Sequence, residues 1–161
     1  MKKLLIAAAL SLTAAAAHAQ SVTFGAGYAD FSDDQSKDAA RIALEYHFAP
    51  FHQGAISSFA LGTMASVDSE KDYFIGFGVV GTWTLKNDWF IEASVMPGYY
   101  NEYDPLNRIG GKFHFRSLFG VGRTLASGDK VSVGLTHMSN ASTETPNPGV
   151  NALMLRYTFG F

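Results

Sequence analysis

A histidine and a serine that could act together as base and nucleophile lie near the C-terminal end of the chain, in the run Thr136-His137-Met138-Ser139-Asn140. Successive side chains of a strand point to opposite faces, so His137 and Ser139 share one face. A serine within reach of an imidazole is the minimum geometry for a base-activated nucleophile. The pattern therefore marks a candidate catalytic pair, and the competing interpretation is ordinary polarity at the rim of a strand.

The segments on either side of this pair have the alternation of two strands that would position it. An apolar stripe precedes His137 on its own face and consists of Val131, Val133 and Leu135. Residues 151–161 alternate in the same way, and Asn151 lies at the loop end of their apolar face. We therefore expect an amphipathic hairpin whose apolar face carries His137, Ser139 and Asn151 at its loop end.

The N-terminal segment has the pattern of a secretory signal peptide. It has a basic start, an apolar run over residues 4–17 and small residues at Ala17-His18-Ala19. This pattern predicts cleavage before Gln20. We therefore expect a signal peptide over residues 1–19 and a single domain over residues 20–161.

Charge and cysteine content exclude several classes of protein. The chain has 12 basic and 14 acidic residues and no cysteine. Loss of Lys2 and Lys3 with the signal leaves a formal charge of −4, which gives no electrostatic case for a nucleic-acid partner. Neither a disulfide framework nor a thiolate metal site is available. No stretch after the signal reaches the roughly 18 apolar residues of a membrane helix, so a membrane-spanning form must be a closed barrel.

The mature region divides into eight segments that alternate with a period of two, joined by short turns and longer polar loops. The connections at residues 49–54 and 99–107 are interpreted as a turn and a loop. The eight segments are residues 22–31, 39–48, 55–67, 73–85, 89–95, 109–125, 130–140 and 151–161. A water-soluble barrel of the lipocalin kind and a β-sandwich share this pattern, because charged faces suit either a polar lumen or a solvated exterior.

Aromatic residues favour the membrane interpretation. They cluster at strand ends, where the interfacial girdles of a membrane barrel lie: Tyr73, Trp83, Trp89, Tyr99, Tyr157 and Phe161. A terminal phenylalanine is also typical of outer-membrane barrels. Together with the signal peptide, these features predict an all-β protein, an eight-stranded antiparallel transmembrane β-barrel of the bacterial outer membrane. Side chains fill the interior of a barrel of this size, so a pore is not expected.

The C-terminal region resembles the lipid A 3-O-deacylase family of outer-membrane enzymes (PagL type). The resemblance covers residues 137–161, through His137-x-Ser139-Asn140-Ala141, then Asn147-Pro148-Gly149 and Leu155-Arg156-Tyr157. It implies an esterase that removes the 3-O-linked acyl chain from lipid A of lipopolysaccharide without a cofactor. It also implies Ser139 as nucleophile and His137 as base, on a lipid-facing wall at the cell surface.

The chain departs from this family at the third catalytic position, where Asn151 stands in place of a glutamate. Asparagine can orient an imidazole by accepting its N–H, but it lacks the charge of a carboxylate. Glu144 in the loop is the second choice for this role. Asn140, with a backbone N–H of Ala141 or Ser142, is the predicted oxyanion donor.

The missing acid also allows a different class of function, a non-catalytic structural barrel whose active site has lapsed. We expect outer-membrane lipid to surround the protein in either case. The sequence leaves open whether two barrels pair as a homodimer.

The remaining histidines are interpreted as structural. His114, with Lys112 and Arg116, is expected to face the lumen, where charged residues pair with carboxylates such as Glu45 or Glu92. His47 and His52 are expected to lie near a turn, far from any second metal ligand. The sequence therefore predicts no metal site.

Overall fold

Eight antiparallel strands close into a single barrel in a computed structural model that describes residues 19–31 and 36–160. Each strand pairs with its neighbours in sequence, and β1 pairs with β8 to close the ring. The strands are β1 (Ala19–Phe31), β2 (Ala39–Gln53), β3 (Ser57–Asp68), β4 (Tyr73–Thr84), β5 (Trp89–Asn101), β6 (Phe113–Thr124), β7 (Lys130–Ser139) and β8 (Val150–Gly160). A 3₁₀ turn spans Pro105–Asn107. Among the described residues, no helix has the length and apolar content needed to cross a membrane.

The predicted number and order of strands are confirmed, but three strand ends differ from the prediction by four residues or more. β2 continues to Gln53 and β5 continues to Asn101, whereas β6 begins at Phe113. Cross-strand pairing explains the extensions, since Gln53 pairs with Ser58 and Asn101 pairs with Tyr73. The ends of a strand depend on its partner, which the pattern of a single segment does not reveal.

Two predicted features lie outside the described residues. The predicted signal peptide does so except for Ala19, with which β1 begins, and the terminal Phe161 does so as well.

The two ends of the barrel differ in their connections. The loop end carries the connections over residues 69–72, 102–112 and 140–149, and the turn end carries those over 54–56, 85–88 and 125–129. Asn87 and Asp88 close the β4–β5 turn with φ values of 59° and 63°. Asparagine and aspartate adopt this left-handed conformation more readily than other side chains, which explains the tight turn there.

The apolar face of the strands points outward, which decides between the membrane and soluble alternatives. Leu135, Ile75 and Leu155 are 61%, 55% and 67% exposed, and similar side chains surround the barrel. A lipocalin-like barrel or a β-sandwich would bury these faces. An apolar surface of this extent is stable in lipid and not in water.

Charged residues fill part of the lumen as a hydrogen-bonded network. Arg116 and Arg156 bind the carboxylate of Glu45 at 2.7 and 3.0 Å, and Arg156 also lies 2.7 Å from Glu92. The predicted pairing of Arg116 with Glu45 is confirmed. Buried charges of opposite sign compensate the loss of hydration that each would suffer alone.

Lys112 and His114 differ from the prediction. Lys112 lies in the β5–β6 loop, where it binds Glu102 at 2.8 Å instead of a lumen carboxylate. His114 does face the lumen, but its ring packs edge-on against Tyr100 and contacts the carbonyl oxygen of Gly111 at 3.3 Å. Both side chains are therefore anchored by the loop end of the barrel.

Apolar side chains fill the lumen nearer the loop end. This core contains Met64, Phe74, Met96, Tyr100, Met138 and Met154. Met138 lies between His137 and Ser139 in β7 and is 3% exposed. The candidate catalytic pair therefore stands on a strand whose inner face is tightly packed.

Candidate active site

His137 and Asn151 are cross-strand neighbours on the outer wall of the barrel. They are register partners in β7 and β8, and both are exposed. Nδ1 of His137 lies 2.9 Å from Oδ1 of Asn151, a normal hydrogen-bond distance. The amide oxygen can only accept, so Nδ1 carries the hydrogen and Nε2 is the ring nitrogen left to act as a base.

Ser139 follows on the same face of β7, at the last position of the strand. It is partly exposed, so its hydroxyl is accessible from the outer wall, as a candidate nucleophile requires. The structure thus brings His137, Ser139 and Asn151 to one wall, as the alternation predicted.

Gly149 closes the site on the side of the imidazole and was not predicted to take part. A Cβ atom at this position would lie 3.0 Å from Cε1 of His137 and 3.6 Å from Nε2. The backbone of Gly149 also has a φ of 74°, which side-chain-bearing residues rarely adopt. Its signal in the sequence is the Asn147-Pro148-Gly149 turn, but the contact with His137 depends on the fold of the loop.

Asn140 takes a different position from the one expected of an oxyanion donor. Its side chain is 0% exposed, on the inner side of the chain, whereas Ser139 is on the outer side. Its amide group donates to the carbonyl oxygens of Gly110, Glu144 and Pro146 at 3.0, 3.0 and 3.1 Å. These bonds occupy the donors that would otherwise serve an oxyanion, and they join the β5–β6 loop to the β7–β8 loop.

The backbone turns sharply directly after the candidate nucleophile. Ala141 and Ser142 have φ values of 54° and 62°, in the left-handed region. Asn147 braces this turn, because its Oδ1 accepts from the backbone N–H of Asn140 at 3.0 Å and its Nδ2 donates to Ser142 at 3.3 Å. Asn147 was missed as a site residue because its partners are set by the loop conformation.

Glu144, the second choice for the third catalytic position, lies next to the β5–β6 loop. A Cβ atom at Gly111 would come within 2.5 Å of the Glu144 carboxylate, which fixes where this side chain packs. The partner of His137 Nδ1 is Asn151 instead. The geometry therefore favours Asn151 over Glu144.

Asp72 connects a third loop to this scaffold. Its carboxylate accepts from the backbone N–H of Tyr103 at 2.6 Å and from the side chain of Asn107 at 2.7 Å. Burial raises the pKa of Asp72, and these hydrogen bonds act in the opposite direction. On the loop surface, the hydrogen bond from Lys37 lowers the pKa of Asp104. The β3–β4 and β5–β6 loops are thus tied together, and the β5–β6 loop is bound in turn by Asn140.

His47 lies closer to other potential metal ligands than the sequence analysis expected. Its Nε2 is 3.4 Å from Oε2 of Glu45, and one ligand atom from each of Glu45, His47 and Glu92 falls within a 4.8 Å cluster. The expectation that His47 is isolated is wrong, because β2 and β5 bring the three side chains together across the lumen. The guanidinium groups of Arg116 and Arg156 already balance both carboxylates. This arrangement is that of an internal ion network.

Comparison with known proteins gives a consistent family match. The family model described as lipid A 3-O-deacylase (PagL) matches residues 38–159. The lipid A deacylase PagL of Bordetella bronchiseptica is 30% identical over 80 residues, which cover 49% of this chain and 45% of that protein. The aligned region thus spans less than half of the relative's length.

Solved structures share the barrel. The crystal structure of the outer membrane enzyme PagL has a TM-score of 0.67 and 21% identity, covering 88% of this chain and 99% of that one. Neisserial surface protein A (NspA) has a TM-score of 0.59 and 11% identity, covering 88% of this chain and 96% of that one. At these identities the likeness shows the fold.

Proposed function

Because this chain belongs to the lipid A 3-O-deacylase family, we propose that it is a carboxylic ester hydrolase of the bacterial outer membrane. Its substrate is lipid A of lipopolysaccharide, from which it removes the 3-O-linked acyl chain. Residues 1–19 act as the signal peptide that directs the chain to export. The 2.9 Å contact between His137 Nδ1 and Asn151 Oδ1, on the same wall as Ser139, carries the proposal.

The first half of the reaction transfers the acyl group to the enzyme. Ser139 Oγ attacks the ester carbonyl carbon while Nε2 of His137 takes the hydroxyl proton. His137 then returns this proton to the oxygen of the leaving sugar alkoxide as the ester bond breaks. Asn151 holds the imidazole in the tautomer that exposes Nε2 as an acceptor.

The second half releases the fatty acid. Water attacks the acyl-serine, His137 accepts a proton from it, and Ser139 leaves with that proton. The negative charge that develops on the carbonyl oxygen requires donors beside the nucleophile. The backbone N–H groups of Ala141 and Ser142 are the proposed donors, since the side chain of Asn140 already donates to loop carbonyls.

The position of the site in the barrel supports a lipid substrate. His137 and Asn151 lie at the loop end of the wall in a row that continues through Ser117 and Asp30, whereas the next row on the same face is apolar, with Phe119, Leu135 and Leu153. Polar groups that face lipid are costly, so they are expected where a substrate with a polar region meets them. An ester near the headgroup of a lipid would reach this height with its acyl chain along the apolar wall.

A non-catalytic barrel is the second candidate function, and the specific observation in its favour is the amide at position 151. An amide cannot stabilise imidazolium as a carboxylate does, so the amide at this position is consistent with a site that has lost its catalytic activity. The two candidates differ in one measurable property, which is loss of an acyl chain from the substrate.

The test is mass spectrometry of lipopolysaccharide from cells that express the protein, with Ser139→Ala and His137→Ala as controls. We expect the intact protein to remove one hydroxyacyl chain and each variant to abolish this loss. The double variant should be no worse than either single variant, because the two residues act as a unit. Unchanged lipopolysaccharide in the presence of correctly folded barrel would support the non-catalytic alternative.

A further inference from the structure

A groove of about 640 Å³ lies on the outer wall formed by β5 to β8, at the turn end of the barrel and outside the candidate active site. Its apolar floor is made by Val121, Val131, Val133 and Leu155, and Trp89 and Arg123 stand at its edge. We propose that this turn-end groove binds a glycerophospholipid of the leaflet opposite the active site, with one acyl chain on the floor and the phosphate on Arg123.

The register of the strands explains why a groove forms here. Val121, Val133 and Leu155 are cross-strand partners and form one row around the wall. The next row toward the loop end carries the larger side chains of Phe119, Leu135 and Leu153. The next row toward the turn end carries Trp89, Arg123, Val131 and Tyr157. The two valines of the middle row and Val131 beside them leave a depression between the larger side chains of Phe119 and Leu135 on one side and Trp89 and Arg123 on the other.

Depth in the membrane identifies the occupant. Val131 lies six residues before His137 in β7, which is about 20 Å along the strand. For a strand tilted by roughly 35 to 45° this is about 15 Å along the barrel axis. The floor at Val131 is thus about half of the ~30 Å hydrocarbon thickness away from the active site, and the Arg123 guanidinium reaches further, to Asp88 and Asn87 in the β4–β5 turn at the rim of the barrel. A lipid bound at Ser139 enters from the loop end, whereas the groove opens toward the other interface.

Charge at the edge of the groove matches a phosphate. The Arg123 side chain is 52% exposed, and its guanidinium lies 5.8 Å from the centre of the Trp89 ring. Its contacts with Asp88 and with the carbonyl oxygen of Asn87 are long, at 3.6 and 3.4 Å. A guanidinium has five N–H donors, so these contacts leave capacity for the bidentate phosphate pairing that arginine favours. Tryptophan and arginine at this height are typical of a membrane interface.

The test is native mass spectrometry of purified, delipidated barrel titrated with dipalmitoyl phosphatidylglycerol in mixed micelles. Arg123→Gln should weaken the tightest bound lipid roughly tenfold, as expected for the loss of a charge-assisted hydrogen bond. Val133→Trp, which fills the floor with an apolar side chain, should weaken it as well. Lys86→Gln is the matched control, because Lys86 is an exposed cation at the turn end that does not line the groove.

A phospholipid with a photoreactive group on its acyl chain locates the binding independently. Crosslinks should concentrate on the peptide that contains Val131 and Val133 and should decrease in Arg123→Gln. Equal affinity of all variants, or crosslinks spread evenly around the barrel, would overturn the proposal. Capture of lipid A instead of the phospholipid probe at this peptide would also overturn it, since the groove would then serve the substrate.

Discussion

Replacing Asn151 with an acid tests whether this residue orients His137 in the reaction. The amide oxygen lies 2.9 Å from Nδ1 of His137, so Asn151→Asp places a charged oxygen at the same position without a change in side-chain length. The imidazolium that forms as Ser139 attacks would then face a full negative charge. We expect the acyl-transfer step to become faster, and Asn151→Glu to preserve or raise activity.

The size of the gain follows from Coulomb's law. Two unit charges about 4 Å apart attract each other by about 1 kcal/mol in bulk water and by about 4 kcal/mol at an effective dielectric constant near 20. These limits correspond to roughly 5-fold and 10³-fold in rate. His137 and Asn151 are exposed in the free protein, which favours the lower limit, and a bound lipid that excludes water moves the gain upward.

Asn151→Ala should have the opposite effect, because Nδ1 loses its acceptor and the ring can adopt the unproductive tautomer. We expect a loss of roughly 10- to 10⁴-fold, between a modest orienting effect and that of a lost triad member. Glu144→Ala is the matched control. Its carboxylate packs against Gly111, so we expect little change.

The assay is the initial rate of hydroxyacyl release from purified lipopolysaccharide in detergent, measured by mass spectrometry and divided by the amount of folded barrel. A slower Asn151→Asp variant that folds normally would refute the orienting role. A large loss of rate in Glu144→Ala, together with an unchanged rate in Asn151→Ala, would place the third catalytic residue in the loop. That result would refute the argument from a shared strand face.

Two further predictions use matched pairs of variants. Gly149→Ala should lower the rate, because the left-handed backbone costs about 1 to 2 kcal/mol with a side chain and the added Cβ crowds His137. Gly128 is the control, since it has a φ of 93° and open space around its Cβ. Gly128→Ala should lower stability without lowering the rate per folded molecule. Glu45→Gln should destabilise the barrel to denaturant by roughly 3 to 5 kcal/mol, because the buried guanidinium of Arg116 loses its charged partner and that of Arg156 keeps only Glu92. Asp88→Asn at the exposed pair with Arg123 should change stability by less than about 1 kcal/mol.

The wall that carries the candidate site could be predicted from the sequence because its information is local. A period of two fixes which residues share a face, so His137 and Ser139 had to lie on the same side of β7. The hairpin then brings Asn151 opposite His137, as the register confirms. The outward direction of this face followed from the aromatic girdles and the export signal.

The loop that shapes the site could not be predicted in the same way. Asn140 binds carbonyl oxygens of Ile109 and Gly110, about thirty positions away, and such contacts leave no periodic signal. An asparagine after a serine suggested an oxyanion donor because sequence proximity was the available criterion. The alternation of β7, continued by one residue, directs Ser139 outward and Asn140 inward, and the loop then supplies the carbonyl oxygens to which Asn140 donates.

The contacts between charged side chains in the lumen could not be predicted from the sequence either. His47 and Glu92 are on β2 and β5, which are not adjacent in the barrel. Alternation indicates that both side chains face inward, but it does not indicate their positions along the barrel axis. Height depends on the stagger between strands, which accumulates around a closed barrel. Contacts across the lumen are therefore harder to infer than contacts between neighbouring strands.

The alternation of β7 also separates the requirements of stability from those of chemistry. Met138 lies in the core between His137 and Ser139, so the backbone that sets their spacing is held from the inner side. Asn140 anchors the same backbone one residue after Ser139. Residues on the inner side of the chain therefore determine where the candidate nucleophile lies. The outer face can therefore change without loss of the fold, and we expect the amide at position 151 to affect the rate of the proposed reaction more than the placement of His137 and Ser139.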